Sequence, residues 1–215
     1  PIYRSMSQKI KMRPCDLIIS TNHCVAKSFP KPSPDTMHIC YCFTPMRYAW
    51  LFFDEYFGHF AKPIQMYLRH LTASLRVWDK ATSNRVTHFI AISHHIRKRI
   101  EQFYGREAAV IYPPVNTDFY QQDFGERSDE AVVVSALVPY KRVDLAVKAC
   151  VQMRKKLVVI GTGPELESLK ALGGDYVEFL GWGTDAEIKK RYNRAKYLLF
   201  PGEEDFGIVP VEAQA

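Results

Sequence analysis

Two acids, Glu204 and Glu212, separated by seven residues, stand in the stretch that closes the chain, PGEEDFGIVPVEAQA (residues 201–215). An apolar run leads into them, and a helix is expected to begin near Gly207, with Phe206 before it and Ile208 after it. Glu204 then lies in the loop at the helix N-terminus and Glu212 more than a turn inside. One carboxylate could accept hydrogen bonds from sugar hydroxyls and the other from ribose hydroxyls, with the intervening N–H groups aimed at a diphosphate. The preference of acids for helix N-termini explains Glu203 and Asp205 equally well. It leaves Glu212, set between Val211 and Ala213, unexplained.

Ligands of open parallel sheets sit outside the carboxyl ends of the strands, which makes the other loops of that kind candidate contacts. VPYKR places Lys141 and Arg142 at the start of a helix, where cations beside free backbone N–H groups suit a phosphate; an ordinary basic helix surface reads the same. GTGPE carries Gly161 and Gly163, which let the backbone approach a ligand, but it lacks the third glycine of a dinucleotide-binding turn and also reads as a plain strand-to-helix connection. Gly181–Trp182 could offer a flat ring and backbone amides to a base, or pack Trp182 into the core or as a cap.

The elements that must position these groups alternate between short apolar runs and helical patterns, the signature of βα units around a parallel sheet. Strands are expected at 16–20, 37–42, 87–93 and 108–112, with helices near 47–57, 64–83 and 94–104, the last capped by Ser93 and Gly105. PPVNTDFYQQDFGERSDE (113–130) is turn-rich and reads as a connection, giving domains at 1–113 and 131–215 joined by 114–130. The alternation resumes with strands at 131–137, 156–161, 177–181 and 196–201 and helices at 142–153, 164–172 and 185–195. Thr184 and Glu187 make a capping box for the last of these, and Ile188, Tyr192 and Ala195 line its inner face.

With 215 residues, 47% hydrophobic and 13% aromatic, the chain can bury a sizeable core and is not a disordered segment. No apolar run reaches the roughly 18–20 residues that span a bilayer, and PIYRSMSQKIKMR lacks the apolar centre of a secretory signal, so a cytoplasmic protein is expected. The chain opens on Pro1 and stops inside an expected helix, and both ends read as cuts. Five cysteines without CxxC spacing, Cys40 and Cys42 on one strand face, read as buried reduced thiols. Seven scattered histidines show no ligand spacing, so no metal is expected. Residues 1–113 hold sixteen Lys and Arg against seven Asp and Glu, a net +9, and the remainder thirteen against sixteen, a net −3. The basic part could face an anionic membrane or a pyrophosphate-bearing acceptor, or be a solvated surface; no nucleic-acid motif accompanies it.

SALVPYKRVDLAVKA, VVIGTGPE, FLGW, YLLFPGEEDFG and the Glu-x7-Glu segment EDFGIVPVE, in this order and spacing, closely resemble the donor domain of retaining glycosyltransferases of the two-Rossmann (GT-B) architecture, glycosyltransferase family 4, group 1. The likeness is greatest to bacterial mannosyltransferase-type enzymes of surface polysaccharides. DLIISTNHCVAKSF, HICYCFTPMRYAW and HFIAISHHIRKRIEQFYGREAAVIYPPVNTDFY resemble the same subgroup, so the likeness covers nearly the whole chain. It implies an α/β protein of two Rossmann-like domains, both incomplete. By resemblance, Lys141 would neutralise the donor diphosphate with help from Arg142, Glu204 would hold the transferred sugar, and Glu212 would bind the ribose. Backbone amides at Phe206, Gly207 and Ile208 would face sugar and phosphate, and the loops at Gly161, Gly163 and Trp182 would border the nucleotide. On the acceptor side, Phe43 stands where many members carry histidine, and Ala136 where many carry arginine, which shifts phosphate neutralisation onto Lys141, Arg142 and Arg47.

The implied reaction moves a sugar, with GDP-mannose the favoured donor, to a glycan or lipid-linked hydroxyl with retained anomeric configuration and no cofactor. Peripheral contact with the inner membrane face would suit a lipid-linked acceptor. Two rivals are a non-catalytic nucleotide-sugar-binding protein of the same fold and a nicotinamide or flavin oxidoreductase using GTGPE as its turn.

Overall fold

The computed structural model describes residues 7, 9–22 and 24–215, so the opening PIYRSM, with Gln8 and His23, lies outside the described residues. The chain divides into two compact units, residues 1–113 and 114–215.

The first unit is a parallel sheet of β1 (Leu17–Asn22), β2 (Met37–Cys42), β3 (His88–Ala91) and β4 (Ala108–Val110), laid side by side in chain order. Registers such as Ile19↔Ile39, Cys40↔Phe89 and Ile90↔Ala109 alternate inward and outward side chains. Cys40, Cys42, Phe89 and Ala91 fall on the buried side. The helical pattern at 47–57 forms two pieces, α1 (Arg47–Trp50) and α2 (Phe53–Phe57). The run Trp50-Leu51-Phe52-Phe53 has no single apolar face, and the chain breaks there, with the N–H groups of Leu51 and Phe52 both closing on the Arg47 carbonyl. The break buries both Ala49 and Phe53. α3 (Lys62–Thr82) follows, with proline in its first turn, and then α4 (His94–Tyr104). The Ser93 hydroxyl accepts from the Ile96 N–H at 3.1 Å and Gly105 ends α4 at φ 67°, the left-handed conformation that glycine adopts without strain.

Beneath α3 lies a charged centre. Lys27 and Asp79, both fully buried, form an ion pair, and the Lys27 ammonium also donates to the Asp79 carbonyl at 3.1 Å. The second carboxylate oxygen accepts from Trp50 Nε1 and from the Tyr104 hydroxyl, each at 2.8 Å. The ammonium sits 4.8 Å from the centre of the Tyr104 ring. One carboxylate thus ties the loop after β1, α1, α3 and α4 together.

The second unit is again parallel: β5 (Glu130–Val134), β6 (Lys156–Ile160), β7 (Val177–Gly181) and β8 (Tyr197–Leu198), in the order β7-β6-β5-β8. Its helices are α5 (Val143–Met153), α6 (Leu166–Gly173), α7 (Asp185–Arg194) and α8 (Ile208–Gln214). β5 and β8 are shorter than their apolar runs, yet ladder bonds continue past them from the N–H groups of Ser135 to Ile160, Leu137 to Thr162 and Leu199 to Val132. One face packs Val133, Val147, Leu157 and Val159; the other packs Val132, Val158 and Ile160 against Ile188, Tyr192 and Ala195 of the α7 side. The Thr184–Glu187 capping box is formed. The turn-rich stretch 114–130 is fastened to this unit: the Asp123 N–H donates to Asn193 Oδ1 at 2.6 Å and the Ser128 N–H to the Arg194 carbonyl at 2.8 Å.

Buried ion pairs lose far more on removal of one partner than exposed ones. Asp79→Ala should lower the unfolding free energy of the first unit by about 3–5 kcal/mol in urea denaturation, because Lys27 is left charged and dry. Asp54→Ala, which removes the exposed partner of Arg69, should cost less than about 1 kcal/mol. Equal losses would mean that the buried centre carries no special weight.

Candidate functional site

In the second unit the strand order reverses at β5: β6 and β7 continue to one side and β8 returns to the other. Loops leaving β5 and β8 therefore diverge from a common crevice at the carboxyl rim, where open α/β sheets bind ligands. Val134, Ser135 and Lys141 line it from the β5 side, and Phe200, Pro201, Gly202 and Glu204 from the β8 side.

Lys141 and Glu204 meet there as an ion pair, both side chains about one-fifth exposed. Their loops touch through backbone: a Cβ on Gly202 would stand 2.7 Å from the Lys141 carbonyl oxygen and 2.9 Å from its Cα. Only glycine fits that contact. The Lys141 ammonium also lies 5.5 Å from the centre of the Tyr140 ring.

Arg142 does not join this pair. Lys141 ends a 3-10 turn (Pro139–Lys141) and Arg142, at φ 52°, bends the chain into α5. The N–H groups of Lys141 and Arg142 are consumed by the Val138 and Pro139 carbonyls, contrary to the free N–H groups expected from the sequence. The Arg142 guanidinium instead grips Asp144, Nε to Oδ1 at 3.0 Å, within its own helix. Together with Lys148 it holds the Asp144 carboxyl down at about 2.

The glycines of GTGPE approach a neighbouring loop. A Cβ on Gly161 would stand 1.9 Å from the Ser135 carbonyl oxygen, and one on Gly163 2.3 Å from that of Leu137. The Leu137 carbonyl in turn accepts from the Glu165 N–H at 3.1 Å. These glycines let the β5 and β6 loops lie against each other. Trp182, read from sequence as either a base platform or a packed side chain, is 83% exposed and so does not pack into the core.

At the other end of the Glu-x7-Glu segment, Gly207 takes φ 84° and hands the chain to α8 beside Phe200 and Pro210. Ile208 opens the helix half-exposed, and Asp205 is buried in the turn before it. Glu212 is half-buried on α8, and its Oε2 accepts from the Tyr192 hydroxyl at 3.2 Å. Burial raises the Glu212 carboxyl above its ordinary value, a shift that hydrogen bonds from Tyr192 and Tyr120 oppose and the Asp185 charge reinforces. Tyr192 and Tyr120 were not singled out as site residues from sequence. The available signal was an acid in an apolar turn, which requires a hydroxyl nearby.

Phe43 and Arg47 belong to the first unit, just beyond the carboxyl end of β2. Phe43 is 38% exposed and stands edge-on to Tyr41, ring centres 5.5 Å apart. Arg47 is partly buried at the start of α1. Among the described residues, no group of three or more His, Cys, Asp or Glu could hold a metal, and no helix is long and apolar enough to cross a membrane. Among the described residues the cysteines are reduced thiols, with Cys40 and Cys42 buried on one strand face.

Residues 115–215 match the family model described as Glycosyl transferases group 1. A curated relative, the GDP-mannose-dependent alpha-(1-6)-phosphatidylinositol monomannoside mannosyltransferase of Mycobacterium tuberculosis, is 29% identical over 155 residues, covering 58% of this chain and 40% of that protein. The chain thus spans well under half of this relative's length. Among solved structures, AviGT4, a glycosyltransferase involved in avilamycin A biosynthesis, superposes with a TM-score of 0.57 at 16% identity, over 99% of this chain and 55% of that one. Anabaena HepE in complex with UDP and glucose gives 0.54 at 21% identity, over 67% and 46%. Residues 115–215 are accordingly similar to glycosyl transferases group 1, and the chain has the GT-B fold.

Proposed function

We propose that the protein is a retaining glycosyltransferase that moves a sugar, mannose from GDP-mannose in the first instance, to a hydroxyl of a glycan or lipid-linked acceptor. The observation that carries the reading is the Lys141–Glu204 pair at the strand-order reversal between β5 and β8. The mannosyl relative is GDP-mannose-dependent and the HepE structure holds UDP and glucose, which supports a nucleotide sugar as the class of donor.

In this reading the donor diphosphate competes with Glu204 for the Lys141 ammonium. Once Lys141 turns to the diphosphate, the Glu204 carboxylate accepts from hydroxyls of the transferred sugar. As the glycosidic bond to the leaving phosphate breaks, negative charge grows on the diphosphate oxygens beside Lys141. The new bond forms from the acceptor oxygen on the same face of the sugar, and the acceptor proton passes to the departing diphosphate. Backbone N–H groups at Phe206, Gly207 and Ile208 face sugar and phosphate, Glu212 accepts from the ribose, and the exposed Trp182 ring borders the base. Arg142, committed to Asp144, contributes little. No cofactor and no metal enters this scheme.

The direct test is incubation of the full-length protein with GDP-mannose and a panel of UDP-sugars, following nucleotide release and the anomeric configuration of the product by NMR. Nucleotide binding without transfer to any acceptor or water would convert the assignment to a binding protein. In the active protein, Lys141→Ala should lower the donor-dependent rate roughly ten- to a hundredfold, the effect of one charge-assisted contact. An unchanged rate in a folded variant would remove Lys141 from the mechanism.

Glu212 supplies a second check. Its carboxyl is raised by burial, so the fold favours the neutral form, and stability falls as pH rises through that raised value. Glu212→Gln should therefore keep or slightly raise Tm at pH 7, by up to about 2 °C, with the gap narrowing toward pH 5. The same variant should weaken nucleotide binding. A large loss of Tm would instead make Glu212 a structural residue.

A further inference from the structure

We propose that Tyr192 is a positioning residue that sets the orientation of the Glu212 carboxylate, so that selection of ribose over deoxyribose in the donor depends on a phenol that itself does not touch the nucleotide. The proposal rests on the reading of Glu212 as the ribose acceptor.

Three observations carry it. First, Glu212 has three side-chain torsions and sits in an apolar turn between Val211 and Ala213, so nothing in its own helix fixes its head group. The Tyr192 hydroxyl does, donating to Oε2 at 3.2 Å from a helix 20 residues earlier in the chain. Second, that hydroxyl is held in place: the Tyr192 ring packs against the Val132, Val158, Ile160 and Ala195 cluster and lies 5.7 Å from the Tyr120 ring. A donor anchored on the sheet is a better reference point than one on a free side chain, because little rotamer entropy remains to be lost when the carboxylate is engaged. Third, the groups facing Glu212 are the two phenols and the Asp185 carboxylate. Burial first, and then the Glu212 charge, push the Tyr120 phenol up to about 12 and that of Tyr192 further still. Both are therefore hydrogen-bond donors throughout the physiological range.

An ionised carboxylate offers about four lone-pair sites. With Tyr192 on Oε2 the plane of the group is set and the remaining sites point in fixed directions, as recognition of two neighbouring ribose hydroxyls requires. Without it only the Tyr120 phenol still holds the group, and the gain from each ribose hydroxyl is diluted by the added cost of ordering the side chain. A purely structural Tyr192 would affect stability and leave the choice between sugars untouched.

The test is calorimetric titration of the full-length protein with GDP and 2′,3′-dideoxy-GDP, and with the uridine pair, for wild type, Tyr192→Phe, Glu212→Gln and the double variant. Tyr192→Phe keeps the packed ring and removes only the hydroxyl. Wild type should prefer the ribonucleotide by about tenfold or more, the effect of charge-assisted hydrogen bonds. Tyr192→Phe should cut that preference about fivefold by weakening the ribonucleotide alone, and in the Glu212→Gln background it should change the preference no further. An unchanged preference in Tyr192→Phe, or the same drop with Glu212 already replaced, would overturn the positioning role while leaving Glu212 as the ribose acceptor. Equal binding of ribo- and dideoxynucleotide by wild type, or binding of neither, would instead overturn the underlying reading of the site. Should Tyr192→Phe fail to fold, Tyr120→Phe addresses the same carboxylate through its second phenol, with a smaller drop expected and no drop counting against the proposal.

Discussion

Because β8 pairs with β5 and not with β7, two loops that are distant in sequence leave the sheet at one place, and the site is a consequence of that single pairing. Lys141 lies seven residues beyond the end of β5, and Glu204 six beyond the end of β8. Were β8 added beside β7, the two would stand on opposite margins of a four-stranded sheet, about 14 Å apart at the ordinary strand spacing. The topology supplies proximity and the side chains supply complementarity. Lys141 and Glu204 neutralise one another at a position where each alone would be a partly dehydrated charge.

The first unit solves a different problem with similar means. Its sheet runs in simple order, with no reversal among the described strands. What it concentrates is the buried Lys27–Asp79 pair with Trp50 and Tyr104, in which a carboxylate is fully supplied with donors. Such a cluster contributes little net energy compared with a hydrophobic replacement, yet loss of one partner is costly because it leaves a buried charge uncompensated. The two pairs differ in exposure: the first is fully buried, whereas each side chain of the one at the rim is about one-fifth exposed.

Much of the architecture was legible in the sequence because it rests on local signals. Short apolar runs marked the strands, Ser93, Gly105 and the Thr184–Glu187 box marked helix ends, and the turn-rich stretch after Pro113 marked the passage to the second unit. What escaped depends on contacts between distant residues. Lys27 and Asp79 are 52 positions apart, and nothing near either predicts the other. Glu212 was conspicuous and Tyr192 fell on the inner face of its helix, but only the packing of α7 beside α8 makes them partners. Nor was the partner of Arg142 evident: its left-handed backbone and the acid two residues later turn the guanidinium along its own helix. The glycines of GTGPE, read as letting backbone approach a ligand or as a plain turn, lie against the loop after β5, a contact that no local signal marks.

Gly202 has a bearing on how such a rim can change over time. The gap between the Lys141 and Glu204 segments is gauged by main chain resting on main chain, with no rotamer in between. Surrounding side chains can then drift in size and polarity without altering the spacing of the charged pair. The lining of the crevice and the geometry that holds the charges are carried by separable parts of the polypeptide, which allows one to diversify while the other stays fixed.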